Sequence, residues 1–171
     1  ELGHINACFP LDNGDVLISI QRHSIIAIVD RDTQRIRWEH KNPDFGRQHD
    51  VQVIDNGNYM MFANGLGGSA LHASSVLELD PETMETVWQY KSRRALEFYS
   101  PHISGCQRLA SGNTLICEGV WGRIFEVTPE GELVWEFINP YEADDELYGP
   151  TNWVYRAYRY AADSPQIQNR V

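Results

Sequence analysis

The chain has 171 residues, 42% of them hydrophobic, which is the size and composition of a single ordinary globular domain. Its apolar runs are only as long as β-strands, so the sequence predicts no membrane span. With 24 acidic against 14 basic residues, the formal net charge is −10, which would repel a phosphate backbone and excludes nucleic acid as an expected partner. Any anionic ligand would have to be bound by a local group of cations.

Glycine turns recur three times along the chain, and each is followed by an apolar run. The three segments are Asp12-Asn13-Gly14-Asp15-Val16, Asp55-Asn56-Gly57-Asn58-Tyr59 and Ala110-Ser111-Gly112-Asn113-Thr114. Glycine supplies the positive φ that a tight hairpin turn requires. A second turn follows in each unit and leads to a run that carries a tryptophan, at Trp38, Trp88 and Trp135. Each unit therefore predicts two hairpins, or four short antiparallel strands.

Four strands repeated every ~40 to 50 residues are the pattern of β-propeller blades. The predicted fold class is accordingly all-β, a β-propeller with about three to four four-stranded antiparallel blades in this chain. We place these blades at approximately 4–43, 44–94 and 95–140, with boundaries near Pro43 and Ala95, and a C-terminal strand or strap at 141–171.

Two segments do not fit the four-strand pattern. The insertion from Asn64 to His72 is rich in glycine, but no helix follows it, so a blade loop is favoured over a phosphate-binding loop. The alternating aromatic run from Trp153 to Tyr160 would complete a blade or strap one. Because a closed propeller needs about four to eight blades, the missing blades are expected from the rest of a longer chain or from other copies. The longer chain is favoured.

Three cysteines, Cys8, Cys106 and Cys117, are too few and too odd in number for a disulfide framework. Cys106 and Cys117 lie equally far from the turn at Ser111-Gly112, so a tight hairpin there would place them opposite each other. Both a disulfide and two half-buried thiols fit this arrangement, and the thiols are favoured. No CxxC or HExxH motif is present, so we expect no metal.

Turn spacing places three polar side chains at one end of the predicted blades. His4 and His49 lie where an inner strand begins, and Arg22 lies where the following strand returns to that end. Propeller sites occur at such channel mouths. Arginine offers a fork of donors that matches sulfate or phosphate, and a neighbouring histidine adds a donor or acts as a nucleophile. An ordinary surface role is favoured for each residue taken singly, whereas their coincidence favours an oxyanion site.

The remaining histidines are His23, His40, His72 and His102. They follow no common register, and loop or packing roles are favoured for most of them. His102 is a further candidate because it lies near the third inner strand. Asp50 follows His49 directly, and since adjacent strand residues point to opposite faces, it is not expected to orient the imidazole. The group that orients His49 is therefore not identified from the sequence.

Several runs resemble the bacterial arylsulfotransferase family and its broader arylsulfotransferase-like relatives. They include His4-Ile5-Asn6, Arg22-His23-Ser24, Gln48-His49-Asp50, Asn64-Gly65, Phe98-Tyr99-Ser100-Pro101 and Val134-Trp135-Glu136. The resemblance spans nearly the whole chain and implies that it is the C-terminal part of a propeller. It also implies a periplasmic or extracellular location, although no signal-like segment opens this sequence.

The resemblance further implies a PAPS-independent transfer of a sulfuryl group from an aryl sulfate to a phenolic acceptor, with no cofactor. His49 maps to the histidine that is transiently sulfated, and His4 and Arg22 map to the residues that hold the sulfuryl oxygens. Asn64 joins His4 and Arg22 as a substrate-binding candidate. A further family histidine from an earlier blade has no counterpart here, so whether this chain acts without upstream blades stays open.

Two other classes of function stay open beside the transferase. A non-catalytic propeller would use the same anion-binding channel mouth to hold a ligand or a protein. A hydrolytic sulfatase is the third class, and it is disfavoured because such enzymes generally rely on a metal and a modified nucleophile, neither of which this sequence indicates.

Overall fold

The computed structural model describes residues 3–67, 72–94 and 96–168, and its regular structure there is β-sheet with three short 3-10 turns. The first sheet contains β1 (Ile5–Pro10), β2 (Val16–Ile20), β3 (Ile25–Val29) and β4 (Ile36–Lys41). The second sheet contains β5 (His49–Val53), β6 (Tyr59–Ala63), β7 (Ser75–Leu79) and β8 (Thr86–Tyr90). The third sheet contains β9 (Gly105–Arg108), β10 (Thr114–Glu118), β11 (Arg123–Val127) and β12 (Leu133–Ile138).

A two-stranded hairpin of β13 (Ala143–Asp145) and β14 (Gly149–Thr151) follows the third sheet. In each larger sheet the strands are antiparallel and neighbour one another in chain order. The prediction of an all-β fold built from four-stranded antiparallel blades is therefore confirmed. Each predicted blade range encloses one sheet, and the predicted boundary at Ala95 lies outside the described residues. Within those residues, no helix has the length and apolar character needed to cross a membrane.

The glycine turns have the conformation that the sequence predicts. Gly14, Gly57 and Gly112 have φ of 87°, 88° and 88°, which glycine adopts without the steric cost that a Cβ would add. In each turn the glycine N–H donates to the carbonyl three residues earlier at 2.8–2.9 Å. The same turn thus joins the first two strands of each sheet and sets their register.

Adjacent sheets pack face to face and bury both faces of the second sheet. Along β6, Tyr59, Met61 and Ala63 pack towards the first sheet, whereas Met60 and Phe62 pack towards the third. All five residues of the strand are buried, so its alternation separates two apolar cores rather than a core from solvent. Among the first strands of the three sheets, β5 adjoins both β1 and β9, and the ends of these strands position the candidate site.

Cys106 and Cys117 are both buried and free, so the disulfide alternative is wrong and the thiol alternative holds. The hairpin register pairs Cys106 with Ile116 and Cys117 with Gly105. The five-residue turn from Leu109 to Asn113 shifts the pairing by one position, and a one-residue offset sends two side chains to opposite faces of the sheet. Burial raises the pKa of the Cys117 thiol to about 12.

Of the two alternatives for Trp153–Tyr160, a blade strand or a strap, the strand is not observed, and the segment lies along the inner strands. The Ser104 N–H donates to the carbonyl of Tyr155 at 2.9 Å, and the Gln107 side chain bonds the backbone of Arg159 at 2.7 and 3.0 Å. Arg156 also reaches Asp50 in β5 and the carbonyl of Asn6 in β1. The segment therefore connects the first strands of all three sheets.

Candidate functional site

His49 begins β5 and is buried, with a relative exposure of 3%. Its Nδ1 lies 2.8 Å from Oδ1 of Asn64, which follows β6 and is fully buried. The Asn64 Nδ2 donates to the carbonyls of Ser100 at 2.7 Å and Ile103 at 3.0 Å. Because the amide nitrogen is committed to two acceptors, the amide oxygen must face the imidazole.

This contact fixes the tautomer of neutral His49. A carbonyl oxygen only accepts hydrogen bonds, so Nδ1 of His49 carries the proton and donates it to Asn64 Oδ1. The lone pair of the neutral ring then resides on Nε2. Asn64 thus orients the imidazole and selects Nε2 as the atom that can attack an electrophile or accept a proton.

Burial lowers the pKa of His49 from 6.5 to about 4. The hydrogen bond with Asn64 and the backbone carbonyl of Arg47 act in the opposite direction, and positive charge on His102 and His4 lowers the pKa further. The loss of solvation outweighs the hydrogen bonds, since desolvation disfavours the charged form. His49 is consequently neutral near pH 7, as a nucleophilic imidazole must be.

The first hairpin brings His4 and Arg22 to one end of the first sheet, as the turn spacing predicts. The N–H of Gln21 donates to the carbonyl of His4 at 2.9 Å, and that of Arg22 donates to the carbonyl of Gly3 at 3.1 Å. His4 is exposed and lies within electrostatic range of His49. Arg22 is exposed on the 3-10 turn Gln21–His23 and lines the wall of a neighbouring cavity.

Gln48, the residue before His49, joins the first two sheets at this end. Its Nε2 donates to Oγ of Ser19 at 3.0 Å and to the carbonyl of Ile25 at 2.8 Å, while its own carbonyl accepts from Nδ2 of Asn6 at 2.8 Å. The Gln48 side chain is fully buried, so the two bonds from Nε2 replace the hydration of that nitrogen. They hold the start of β5 beside the ends of β2 and β3, and thereby set the position of His49.

Strained backbone is concentrated around His49. Non-glycine residues with φ between 52° and 87° include His4, Ser24, Arg47, Asp50, Ile103 and Ser104. A left-handed conformation is costly for any residue with a Cβ, and most of all for a β-branched one such as Ile103. The carbonyl of Ile103 is one of the two acceptors that hold Asn64. Strain of this kind is typical of functional sites, which supports the assignment of a site here.

His102 lies on the loop between the second and third sheets and influences the charge state of His49. Its ring packs edge-on against Trp153 with centroids 4.9 Å apart, and burial lowers its pKa. His4 and His102 thus both lie within electrostatic range of His49. Within the described residues, no group of three or more His, Cys, Asp or Glu side chains is arranged to hold a metal ion.

The carboxylate of Asp50 has partners of its own and does not orient His49. Its Oδ2 accepts from the N–H of Cys106 at 3.0 Å, and its Oδ1 accepts from Arg156 Nη1 at 3.0 Å and from the Tyr158 hydroxyl at 2.6 Å. Local sequence patterns do not indicate this cluster, because Arg156 and Tyr158 lie 106 and 108 residues away from Asp50 along the chain. The cluster connects the second sheet to the third sheet and to the C-terminal segment.

The sheets and the buried, polar site at the ends of their inner strands define a protein of the β-propeller class. A family model described as Arylsulfotransferase (ASST) matches residues 1–140. This range contains His4, Arg22, His49 and Asn64, and it is most of the chain. The chain belongs to the arylsulfotransferase family.

Solved structures with a similar fold come from several kinds of protein. A protein of unknown function from Bacteroides caccae has 19% identity and a TM-score of 0.58, over 79% of this chain and 46% of that chain. A streptogramin B lyase has 16% identity and a TM-score of 0.56, over 81% of this chain and 42% of that chain. The virginiamycin B lyase of Staphylococcus aureus has 15% identity and a TM-score of 0.55, with the same coverage of 81% and 42%.

These likenesses show the fold alone, because the identities are below a fifth. This chain spans less than half the length of each of these three solved structures. Comparison with curated proteins gave no match.

Proposed function

We propose that the protein transfers a sulfuryl group from an aryl sulfate to a phenolic acceptor without PAPS, through a sulfated His49. The observation that supports this most is a buried, neutral imidazole whose tautomer Asn64 fixes, in a chain of the arylsulfotransferase family. An exported location, in the periplasm or outside the cell, belongs to the same proposal and rests on the family alone. We also propose that further blades, from the rest of a longer chain, complete the propeller.

In the first step, the lone pair on Nε2 of His49 attacks the sulfur of the donor. An N–S bond forms, the S–O bond to the aryl group breaks, and the aryl oxygen leaves with the electron pair as a phenolate. The ring becomes positively charged, and the hydrogen bond from Nδ1 to Asn64 strengthens because a charged donor bonds more strongly than a neutral one. His4 and Arg22 stabilise the negative charge on the sulfuryl oxygens.

In the second step, an acceptor phenolate attacks the same sulfur and the N–S bond breaks, which restores neutral His49. The two half-reactions predict ping-pong kinetics, the usual sign of a covalent intermediate.

The sequence predicts that Asn64 binds substrate, but its hydrogen bonds favour a role in positioning His49. Its amide is fully buried and engaged with His49, Ser100 and Ile103, so we assign it as a positioning residue.

A non-catalytic binding propeller is the alternative function. The exposed cations around Arg22 favour it, because they could hold an anionic ligand without any chemistry at His49. The two functions differ in one observable: only the transferase forms a covalent sulfuryl adduct when it reacts with an aryl sulfate.

The test compares the wild type with His49→Asn, using p-nitrophenyl sulfate as donor and phenol as acceptor. We expect turnover and an intact-mass increase of one sulfuryl group in the wild type only. His40→Asn is the matched control, because His40 lies on the outer strand of the first sheet. Arg22→Ala should lower the rate by about 10² to 10³, the usual effect of losing a preorganised donor.

Equal turnover by the wild type and His49→Asn would refute the nucleophile assignment. Binding of p-nitrophenyl sulfate without a sulfuryl adduct would support the binding module instead. Release of inorganic sulfate without an acceptor would indicate a hydrolytic sulfatase.

A further inference from the structure

Four basic side chains surround one cavity beside the candidate site. The cavity has a volume of about 290 Å³, and Arg22, His23, Lys41 and Arg47 lie in its wall. Among the lining residues that the structure describes, none is acidic. The chain as a whole has a net charge of −10, so this cavity reverses the sign of the charge locally.

Three other cavities lined by described residues each carry at least one carboxylate. Asp50 lies in one, Asp55 in a second, and Glu97 in a third. The third also contains several cations, but Arg94 in its wall pairs with Glu97 at 3.2 Å. That cavity holds three cations and two carboxylates, whereas the cavity of Lys41 and Arg47 has no carboxylate among its described lining residues.

The walls of this basic cavity are fixed by backbone contacts. The N–H of Arg47 donates to Oγ of Ser24 at 3.3 Å, and the N–H of Leu66 donates to the carbonyl of Gly46 at 3.0 Å. Lys41 ends β4, where it pairs with Ile25. The cations thus stand on elements that are already joined, and little backbone order would be lost on binding an anion.

Two segments of the cavity wall lead directly to His49 and to its partner Asn64. Arg47 precedes His49 by two residues, and its carbonyl influences the pKa of the imidazole. Leu66 and Gly67, which form another part of the wall, lie two and three residues after Asn64. A ligand that occupied the cavity would therefore contact the same two segments that hold the reactive histidine and its positioning residue.

We propose that this cavity binds a second anionic group of the aryl sulfate substrate, held by Lys41 and Arg47 while the sulfuryl group reacts at His49. The inference rests on the proposed function and names its substrate class: aryl sulfates that carry a further carboxylate, sulfate or phosphate. Lysine supplies a point charge and arginine a planar fork of donors, and both suit an oxyanion.

The test compares two donors, 4-sulfooxybenzoate with a second anion and phenyl sulfate without one, using the full chain. The wild type should prefer 4-sulfooxybenzoate in kcat/KM. Lys41→Ala and Arg47→Ala should each reduce this preference about two- to fivefold, the range for losing an ion pair at an exposed site. Lys41→Arg should restore most of it. Lys91→Ala, in a different cavity, is the matched control and should keep the wild-type preference.

A binding measurement separates this inference from the transfer chemistry. In His49→Asn, which cannot be sulfated, calorimetry should show tighter binding of 4-sulfooxybenzoate than of phenyl sulfate. Adding Lys41→Ala to that variant should remove the difference, and raising the salt concentration should weaken it. If binding discriminates but no turnover occurs, the cavity assignment holds and the transferase proposal fails. If turnover occurs and neither cation affects donor preference, the cavity assignment is wrong and the transferase proposal holds.

Discussion

Protonation of His49 is expected to destabilise the fold as the pH falls below neutrality. The pKa of His49 is about 4 in the folded protein and 6.5 for a solvated histidine, so the unfolded chain binds the proton more readily between these values. The stabilising contribution is therefore complete above pH 6.5 and is lost as the pH falls towards 4. The difference between the two pKa values corresponds to about 3 kcal/mol of unfolding free energy, at about 1.4 kcal/mol for each pH unit.

Urea unfolding of the wild type and His49→Gln between pH 7.5 and pH 4 measures this contribution. The amide of the replacement can still donate to Asn64, so the variant removes titration while keeping a hydrogen-bond partner. Burial raises the pKa of Asp50 and Glu118, so these carboxyl groups lose stabilising free energy as the pH rises and would mask the histidine in the wild type alone. They are present in both proteins, and the difference isolates His49.

The difference in unfolding free energy between the two proteins should shrink by about 3 kcal/mol from pH 7.5 to pH 4. The imidazole NMR signals of His49 should titrate near pH 4 in the same range. A constant difference across the range, or titration of His49 near pH 6.5, would mean that the imidazole is solvated and would refute the reasoning.

Three further substitutions test the contacts around His49. Asn64→Asp places a carboxylate beside the imidazole and should raise the pKa of His49 by about 1–3 pH units, as measured by NMR. Arg156→Met removes the cation bound to buried Asp50 and should cost about 1–3 kcal/mol in urea unfolding, whereas no change would mean that the pair is not formed. Gly105→Ala adds a methyl group that would collide with the Asp50 carboxylate, and should cost about 1–3 kcal/mol; an unchanged melting temperature would contradict the close packing seen there.

The fold could be predicted from the sequence because its signals are local. Gly14, Gly57 and Gly112 occupy turns that need positive φ, and each turn determines the pairing of two strands that are adjacent along the chain. The relative placement of His4 and Arg22 followed from the same rule. The same rule predicted the pairing of Cys106 with Cys117 one residue out of register. Equal spacing from a turn does not specify how many residues the turn itself contains.

The contacts of the site could not be predicted because they depend on irregular backbone and on segments far apart along the chain. The bond between His49 and Asn64 depends on where β5 ends its regular pairing with β6, and a register shift occurs between His49 and Gln52. The acceptors for the Asn64 amide lie on a loop with left-handed φ at Ile103, a conformation that its sequence disfavours. The aromatic run containing Tyr155 alternates like a strand, but hydrogen bonds to β9 place it along the inner strands instead.

The register shift in β5 has a consequence for the chemistry of His49. The shift and the left-handed φ of 57° at Asp50 let two adjacent polar side chains both be buried, each with its own partners. If the Asp50 carboxylate faced the imidazole, its charge would favour the protonated ring and raise the pKa of His49 towards neutrality. Asn64 orients the ring without adding charge, and burial then keeps it neutral. An amide partner therefore keeps the pKa of His49 further below neutrality than a carboxylate partner would.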